Sequence, residues 1–358
     1  MNPSVSIIMP IYNASAFLKE SLGGLLDQTL DSIEIICVND GSTDDSLEII
    51  KKYALKDHRI KIINKANSGY GHTMNQGLKI AMGEYIGILE PDDFVDNNAY
   101  EKLYKTAKEQ DADVVKANYY EYYNKEDNYF EVLNGLKYNQ LTSAEENERI
   151  IFMRPCIWSA LYKKKLLTDN NIVFNETPGA SYQDTAFAFK VWVCAKKVYF
   201  LKDAFLHYRM DNENSSVKSS GKVFSICDEF QSMQAFLNQD VNKKNKYSKI
   251  LQVLKLDTYT WNLNRIAPEY QKIFKIQIGL DFIKAKYDNV LEEKYFDSNR
   301  WKMVLEYIQE TKNGMVSSNR EEELKEEVSD LKNSMSYKIG HMLVFIPGKI
   351  LRFIKRNK

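Results

Sequence analysis

Ile86-Gly87-Ile88-Leu89-Glu90-Pro91-Asp92-Asp93-Phe94 is a short apolar run that stops abruptly at three carboxylates, Glu90, Asp92 and Asp93. A strand buried in a sheet has no structural reason to end in clustered acids, because like charges repel and their burial is costly. Two uses make the cluster worthwhile: holding a hard divalent cation, or acid–base work at a strand end. Open α/β sheets place ligands at the carboxyl ends of their strands, which is where these acids fall. Taken alone, the run serves equally well as an exposed acidic turn capping the next helix.

Working outward from this stretch, strand and helix signals alternate. Ser4–Pro10, Ile33–Val38, Arg59–Asn64 and Glu84–Leu89 have the character of buried strands. Ala14–Leu26, Asp44–Ala54 and Thr73–Met82 have that of helices, the second capped by Ser42 or Thr43. Asp96 is placed to cap a helix to about Glu109, and Asp113–Ala117 is one more strand. Such alternation predicts βαβ units and a mostly parallel sheet. The chain then turns irregular and aromatic, with Tyr119, Tyr120, Tyr122, Tyr123, Tyr129 and Phe130, before a helix at Tyr182–Ala195 and a strand at Lys197–Leu201. Beyond residue 220 the pattern is almost wholly helical.

Composition narrows the class. The 358 residues suffice for a large core and an appendage. Formal net charge is zero, but the seven basic residues after Asp330 have no acidic counterpart, so residues 1–330 carry a net of minus seven. This argues against nucleic-acid binding by the main body. Cys37, Cys156, Cys194 and Cys227 are widely spaced without CxxC pairing, which disfavours a zinc site or disulfide framework and favours a reducing cytoplasm. The first residues resemble no signal peptide, and no apolar run is long enough to span a bilayer.

Two further segments carry chemistry. In Val38-Asn39-Asp40-Gly41-Ser42-Thr43-Asp44, Asp40 projects from a strand end and Gly41 allows a tight turn. This is either an ordinary capped β–α turn or a carboxylate that accepts hydrogen bonds from a nucleotide base or ribose. Asn67-Ser68-Gly69-Tyr70-Gly71 leads into a helix that also contains Gly77. The glycine spacing is wrong for a dinucleotide fingerprint, which disfavours hydride transfer, yet such a turn lets a nucleotide sugar lie close to the backbone.

The ordered set of Pro10-Ile11-Tyr12-Asn13, the Val38–Asp44 turn, Asn67 through Gly77, and Gly83-Glu84-Tyr85-Ile86 through Asp93 resembles the family 2 glycosyltransferases of GT-A fold. Trp158-Ser159-Ala160-Leu161-Tyr162, Tyr182-Gln183-Asp184 and His207-Tyr208-Arg209 with Ser215-Ser216 are similar to that family's later motifs. The resemblance covers roughly residues 4–220. It implies a Rossmann-like, mostly parallel central sheet with flanking helices over 1–220; the residue pattern itself assigns a helical region to 221–318 and a charged helix and basic tail to 319–358.

By this resemblance Asp40 contacts the donor's uracil or ribose, the Pro10–Tyr12 segment lines the base pocket, and Asn67 and Gly71 border the donor. Glu90-Pro91-Asp92 takes the place of the DXD element, with Glu90 standing where the family usually has Asp. Asp92, with Asp93 nearby, would bind Mn²⁺ or Mg²⁺ on the diphosphate. Asp184 is the expected catalytic base, since the usual Glu-Asp pair is here Gln183-Asp184. A base takes the proton of the attacking sugar hydroxyl while a cation neutralises the departing diphosphate, as in a single-displacement, inverting transfer.

His207 is placed as a metal ligand or a hydrogen-bonded core residue, Arg209 as a cation on the diphosphate, and Trp158 and Tyr182 as an acceptor platform or core packing. The tail Ser336–Lys358 mixes apolar and basic residues, suited to the interface of an anionic bilayer or to folding back on the body. The expectation is a cytoplasmic, membrane-peripheral enzyme that moves a sugar from a nucleotide donor, UDP-linked, to a glycan or lipid-linked acceptor in cell-surface polysaccharide synthesis. An inactive glycan-binding or scaffold subunit, motivated by Glu90 and Gln183, is the alternative. A sugar-1-phosphate nucleotidyltransferase lacks support, because no basic Gly-rich loop follows the first strand.

Overall fold

A computed structural model describes residues 2–132, 135–212 and 222–316. The expectations for Ser215-Ser216, the charged helix and the basic tail lie outside the described residues. The chain divides into two compact units, Met1–Ser216 and Val217–Lys358.

The first unit is built on β1 (Val5–Ile11), β2 (Ile33–Asp40), β3 (Ile60–Lys65), β4 (Tyr85–Ile88), β5 (Phe94–Val95), β6 (Val114–Tyr123), β7 (Glu126–Phe130), β8 (Leu141–Thr142), β9 (Ala160–Lys163) and β10 (Val198–Arg209). The strands join in the order β3-β2-β1-β4-β9-β6-β10-β5, with β7 on β6 and β8 on β10. β1 runs parallel to β2 and β4, β2 to β3, and β6 to β10. β9 is inverted between β4 and β6, and β5, β7 and β8 pair antiparallel with their neighbours. The six strands β3, β2, β1, β4, β6 and β10 therefore point the same way and bring their carboxyl ends to one edge. β1 and β2 are buried along their whole length, which explains their continuous Val/Ile content.

Helices α1 (Leu18–Leu26), α2 (Ser46–Ala54), α3 (Tyr70–Ile80), α4 (Ala99–Glu109), α5 (Lys164–Asp169) and α6 (Gln183–Cys194) complete the unit. α1 starts four residues later than Ala14, because a turn over Ala14–Phe17 precedes it. α3 starts earlier than Thr73, at Tyr70, and this brings the tyrosine into the first helical turn. Asn98, not Asp96, stands at the start of α4, since Phe94-Val95 pairs with β10 as a short strand.

Two strands run longer than expected. β6 continues to Tyr123 and pairs with β7 through the aromatic stretch. β10 continues to Arg209 across register shifts at Ala204. The second unit, from Val217, contains α7 (Ser225–Leu237), α8 (Val241–Arg265), α9 (Pro268–Tyr287) and α10 (Ser298–Val316). Its interior includes the rings of Phe230, Tyr259 and Phe274, and Tyr259 donates to Asp281 at 2.6 Å. No helix among the described residues is long and apolar enough to cross a membrane. None of the four cysteines is joined in a disulfide.

Candidate active site

The loops after β1 and β2 are laced together by the polar residues of the Asp40–Ser46 turn. Ser42 accepts from the Asn13 amide at 3.0 Å, Ser46 from the Ala14 amide at 2.9 Å, and Asp44 from the Ser15 amide at 2.9 Å. Asn13, in the left-handed region at φ 50°, accepts in return from the Thr43 amide at 2.8 Å. Burial pulls the Asp44 pKa upward, but hydrogen bonds from Ser46 and Ser15 outweigh it and hold the carboxyl at about 2. This frame leaves Tyr12 just past the end of β1, 53% exposed on the rim.

Pro10, in contrast, is buried inside β1 opposite Val38 and lines no surface. β4 pairs with β1 only as far as Ile8, so the N–H that proline lacks is not needed there. Asp40 ends β2 as foreseen, but its carboxylate is turned to the neighbouring loop. It accepts from Ser68 at 2.8 Å and Gly69 at 3.0 Å and pairs with Lys65. Its place in this structure is that of a loop anchor, without a carboxylate held open for a base. Asn67 stays exposed on the same loop.

Gly71 also differs from expectation. A Cβ there would meet the Asn175 carbonyl oxygen at 1.8 Å, so glycine is required for contact with the 175–176 segment and not for contact with a donor.

At the end of β4 the chain turns over Glu90–Asp93, closed by the Asp93 amide on the Glu90 carbonyl and by Ser21 on the Pro91 carbonyl at 2.6 Å. The three acids point to different surroundings. Glu90 is half-buried and accepts a 2.6 Å hydrogen bond from the Tyr70 hydroxyl. Burial pushes its pKa up to about 8; Tyr70 opposes this, while Asp92 and Asp184 add to it. Asp92 is partly exposed and accepts from the Asn212 side chain at 2.7 Å.

Asp93 is fully buried. One oxygen accepts from the Arg209 amide at 2.9 Å and the other has no partner among the described residues. Burial first, then Asp92, raises its pKa well above the usual carboxylate range. Asp93 is thus an internal brace and not a ligand for an arriving cation.

Of the two roles open to His207 the structure shows the hydrogen-bonded core residue, and Arg209 departs from the place expected for a cation on a diphosphate. Both ring nitrogens of His207 are engaged, Nδ1 with Asp127 at 2.7 Å and Nε2 with Asp96 at 3.2 Å, and the ring stacks on Phe94 at 4.3 Å. It fastens β5 and β7 to β10 instead of joining Asp92. The Arg209 guanidinium donates to the Asp92 carbonyl at 2.8 Å and to Glu20, and lies over Phe17, Phe94 and Tyr122. It clamps the acidic turn from behind, and its cation is already partnered.

Asp184 opens α6 and is partly accessible. Burial pushes its pKa up to about 6, against the pull of Thr185 and Arg154. Its charge is felt by Glu90 and Tyr70, so the start of α6 lies near the end of β4. Tyr182, immediately before, is partly exposed in the left-handed region at φ 63°, a strained state for a bulky residue. Trp158 is half-buried, stacked on Tyr208 at 5.0 Å and edge-on to Tyr119 at 4.6 Å.

Three contributors were not foreseen. Tyr70 lies between two glycines of a loop singled out for its backbone alone, and burial, then Glu90 and Asp184, keep its phenol protonated. Arg154 is half-exposed over the rings of Phe130 and Tyr208 and donates to the Tyr119 hydroxyl at 2.8 Å. The buried Lys116 donates to the Cys156 carbonyl and the Ser159 hydroxyl, holding the turn that carries Trp158, and burial lowers its pKa to about 8. An aromatic between glycines was a signal for the first; nothing local marks the other two.

No group of three or more potential ligands close enough to cage a metal occurs among the described residues. Mg²⁺-like ions, however, are commonly held by one or two carboxylates together with substrate phosphates. Asp92, with Glu90 beside it in the turn, fits that pattern; Asp93 and His207 do not.

A mostly parallel sheet with acids at its carboxyl edge and a separate carboxylate at a helix start is the arrangement that the sequence resemblance to GT-A glycosyltransferases implies. The family model described as Glycosyl transferase family 2 matches residues 6–169. GlyG of Streptococcus pneumoniae, a glycosyltransferase, is 34% identical over 58% of this chain and 71% of its own length. EpsJ of Bacillus subtilis, an uncharacterized glycosyltransferase, is 35% identical over 60% of this chain, which spans 63% of that relative. The crystal structure of S. aureus TarS in complex with UDP-GlcNAc superposes with a TM-score of 0.66 at 22% identity, covering 86% of this chain and 89% of that one. The chain belongs to glycosyltransferase family 2.

Proposed function

We propose that the protein transfers a sugar from a UDP-sugar to a glycan or lipid-linked acceptor with inversion, Asp184 acting as base. The observation that carries this is that Asp92 and Asp184 both lie close enough to Glu90, at the carboxyl edge of the sheet, for their charges to act on it. With a pKa of about 6, Asp184 is largely ionised at neutral pH and can accept a proton. The acceptor oxygen bonds to the anomeric carbon as its proton passes to Asp184. The bond from that carbon to the diphosphate oxygen breaks, and its electron pair leaves with the UDP. A Mn²⁺ or Mg²⁺ ion on Asp92 and Glu90 would supply charge neutralisation for the leaving diphosphate.

Trp158, held by its stack on Tyr208, and Tyr182 would supply aromatic surface for a sugar on the acceptor side. The UDP-GlcNAc bound by TarS supports a UDP-linked donor. The basic tail would hold the enzyme, from the cytoplasmic side, against an anionic membrane carrying a lipid-linked acceptor.

The test is thermal stability against a panel of nucleotides and UDP-sugars with Mn²⁺, Mg²⁺ or EDTA. A ligand that binds only the folded state raises the melting temperature. A cation-dependent rise with UDP or one UDP-sugar, lost in Asp92→Ala, is expected. No rise with any nucleotide would instead favour a glycan-binding subunit without turnover. For the tail, deletion of residues 336–358 should release the protein from anionic liposomes with donor hydrolysis unchanged; undiminished liposome binding overturns the anchor.

A further inference from the structure

Gln183 stands where the family resemblance leads one to expect glutamate, and its surroundings explain why an amide is there. The side chain is buried and uses both ends of the carboxamide. Its oxygen accepts from the Ser181 amide at 2.5 Å, and its nitrogen donates to the Thr177 hydroxyl at 2.8 Å and the Gly179 carbonyl at 3.2 Å. A carboxylate can satisfy the first of these contacts and can accept from a rotated Thr177 hydroxyl, but it has no proton to donate to the Gly179 carbonyl. The loop so gathered, Thr177 to Ser181, is in turn the partner of the donor-side loop. The Gly179 carbonyl accepts from the Tyr70 amide at 2.9 Å.

Gly69, at φ 88°, presses so closely on this loop that a Cβ would meet the Gly179 nitrogen at 3.0 Å and the Thr177 carbonyl oxygen at 3.1 Å. Tyr70 then reaches Glu90 through its hydroxyl. A continuous hydrogen-bonded path therefore runs from the residue before Asp184, through Gly179 and Tyr70, to the acidic turn.

We infer that Gln183 is a positioning residue that ties the start of α6, and with it Asp184, to the Tyr70–Glu90 side of the pocket through the Thr177–Ser181 loop. This rests on the proposed transfer reaction and deepens it: the glutamine is a built part of the site and not the mark of a lost activity. The side chain touches neither substrate nor reacting atoms, so it acts by fixing where Asp184 stands. Replacing it with the family's usual glutamate should harm the enzyme.

The experiment compares the full chain with Gln183→Glu and Gln183→Leu at pH 8 in two ways. The first is amide hydrogen exchange, which needs no activity. Exchange should accelerate by about tenfold or more in the segments containing Ser181 and Tyr70, with the strands β1 and β2 unchanged. The second is release of UDP from whichever UDP-sugar stabilises the parent protein. There kcat should fall about tenfold in both variants while the Kd for UDP stays within about threefold.

Unchanged exchange in the two segments overturns the coupling, and so does Gln183→Glu turning over as fast as the parent. A parent protein that neither binds UDP nor releases it sinks the transfer reaction, while the exchange arm still decides whether Gln183 joins the two loops. If both variants lose protection in β1 and β2 as well, the residue is a general packing element and the inference fails.

Discussion

The hydroxyl of Tyr70, in the first turn of α3, donates a 2.6 Å hydrogen bond to the carboxylate of Glu90 at the end of β4. This contact gives a physical reason for glutamate where the family usually has aspartate: the longer side chain reaches the phenol. Tyr70→Phe removes a donor to a half-buried carboxylate, a loss of about 1–2 kcal/mol where it is felt. UDP release from the donor should fall about tenfold in kcat/KM. Glu90→Asp, one methylene shorter, should be impaired to a similar degree. A Glu90→Asp variant as active as the parent would show that the contact has no part in the reaction.

Asp184→Asn should abolish transfer and leave UDP affinity within a few-fold, since the amide keeps the shape but cannot take a proton. It should also stabilise the protein, and the sign follows from the raised pKa. The folded state keeps a proton on Asp184 up to about pH 6, whereas the unfolded chain releases it near the ordinary carboxylate value. Stability therefore falls as pH rises between those values, and the penalty persists above them. The variant should gain up to roughly 3 kcal/mol at pH 8 and little at pH 4. Urea melts of both proteins at the two pH values check this, and a destabilised variant at pH 8 would mean that the carboxylate is held by partners and not strained by burial.

What the sequence disclosed, and what it hid, follows from how each feature is encoded. The parallel strands β1 and β2 are buried throughout, so their Val/Ile runs announced them. β10 was cut short at residue 201 because Lys202 and Asp203 are exposed where its register shifts, and this breaks the apolar pattern. The inverted strand β9 has only four residues, too few for any periodicity.

Among the acids, Asp92 and Asp93 are neighbours in sequence and opposites in space. One is partly exposed in the turn and the other is sealed beneath it, a distinction made by Arg209 from a strand far along the chain. His207 and Arg209 were open to a binding role only while Asp127, Asp96 and Glu20 were unknown as their partners. Motif order located the pocket; the direction of each side chain came from contacts that no local stretch contains.

Asp44 should prove a stability residue whose effect depends on acid. Its pKa is held at about 2, so the stability it contributes is present above the ordinary carboxylate value and is lost as pH falls from about 4 toward 2. Asp44→Ala leaves the Ser15 amide without its acceptor and should cost about 1–3 kcal/mol at pH 7. The gap between parent and variant should narrow as the medium is acidified through that window. A gap that stays constant down to pH 2 would assign the loss to packing and not to the charge.

Arg154 offers a test of the base that leaves the base itself intact. Its guanidinium lowers the Asp184 pKa, and no other cation is among the causes that set that value. Arg154→Met keeps much of the contact with Phe130 and Tyr208 and removes the charge. The Asp184 pKa should then move further up from about 6, by about half a unit, and the acid limb of the pH–rate profile for UDP release should move with it. The ratio of variant to parent rates should fall as pH is lowered from about 8 to about 6, by about twofold at the lower end. Global stability should change little, because the half-exposed pair with Glu121 is worth about 0–1 kcal/mol. Parallel profiles, with the two rates differing by the same factor at every pH, would separate Arg154 from the base and assign its effect to binding alone.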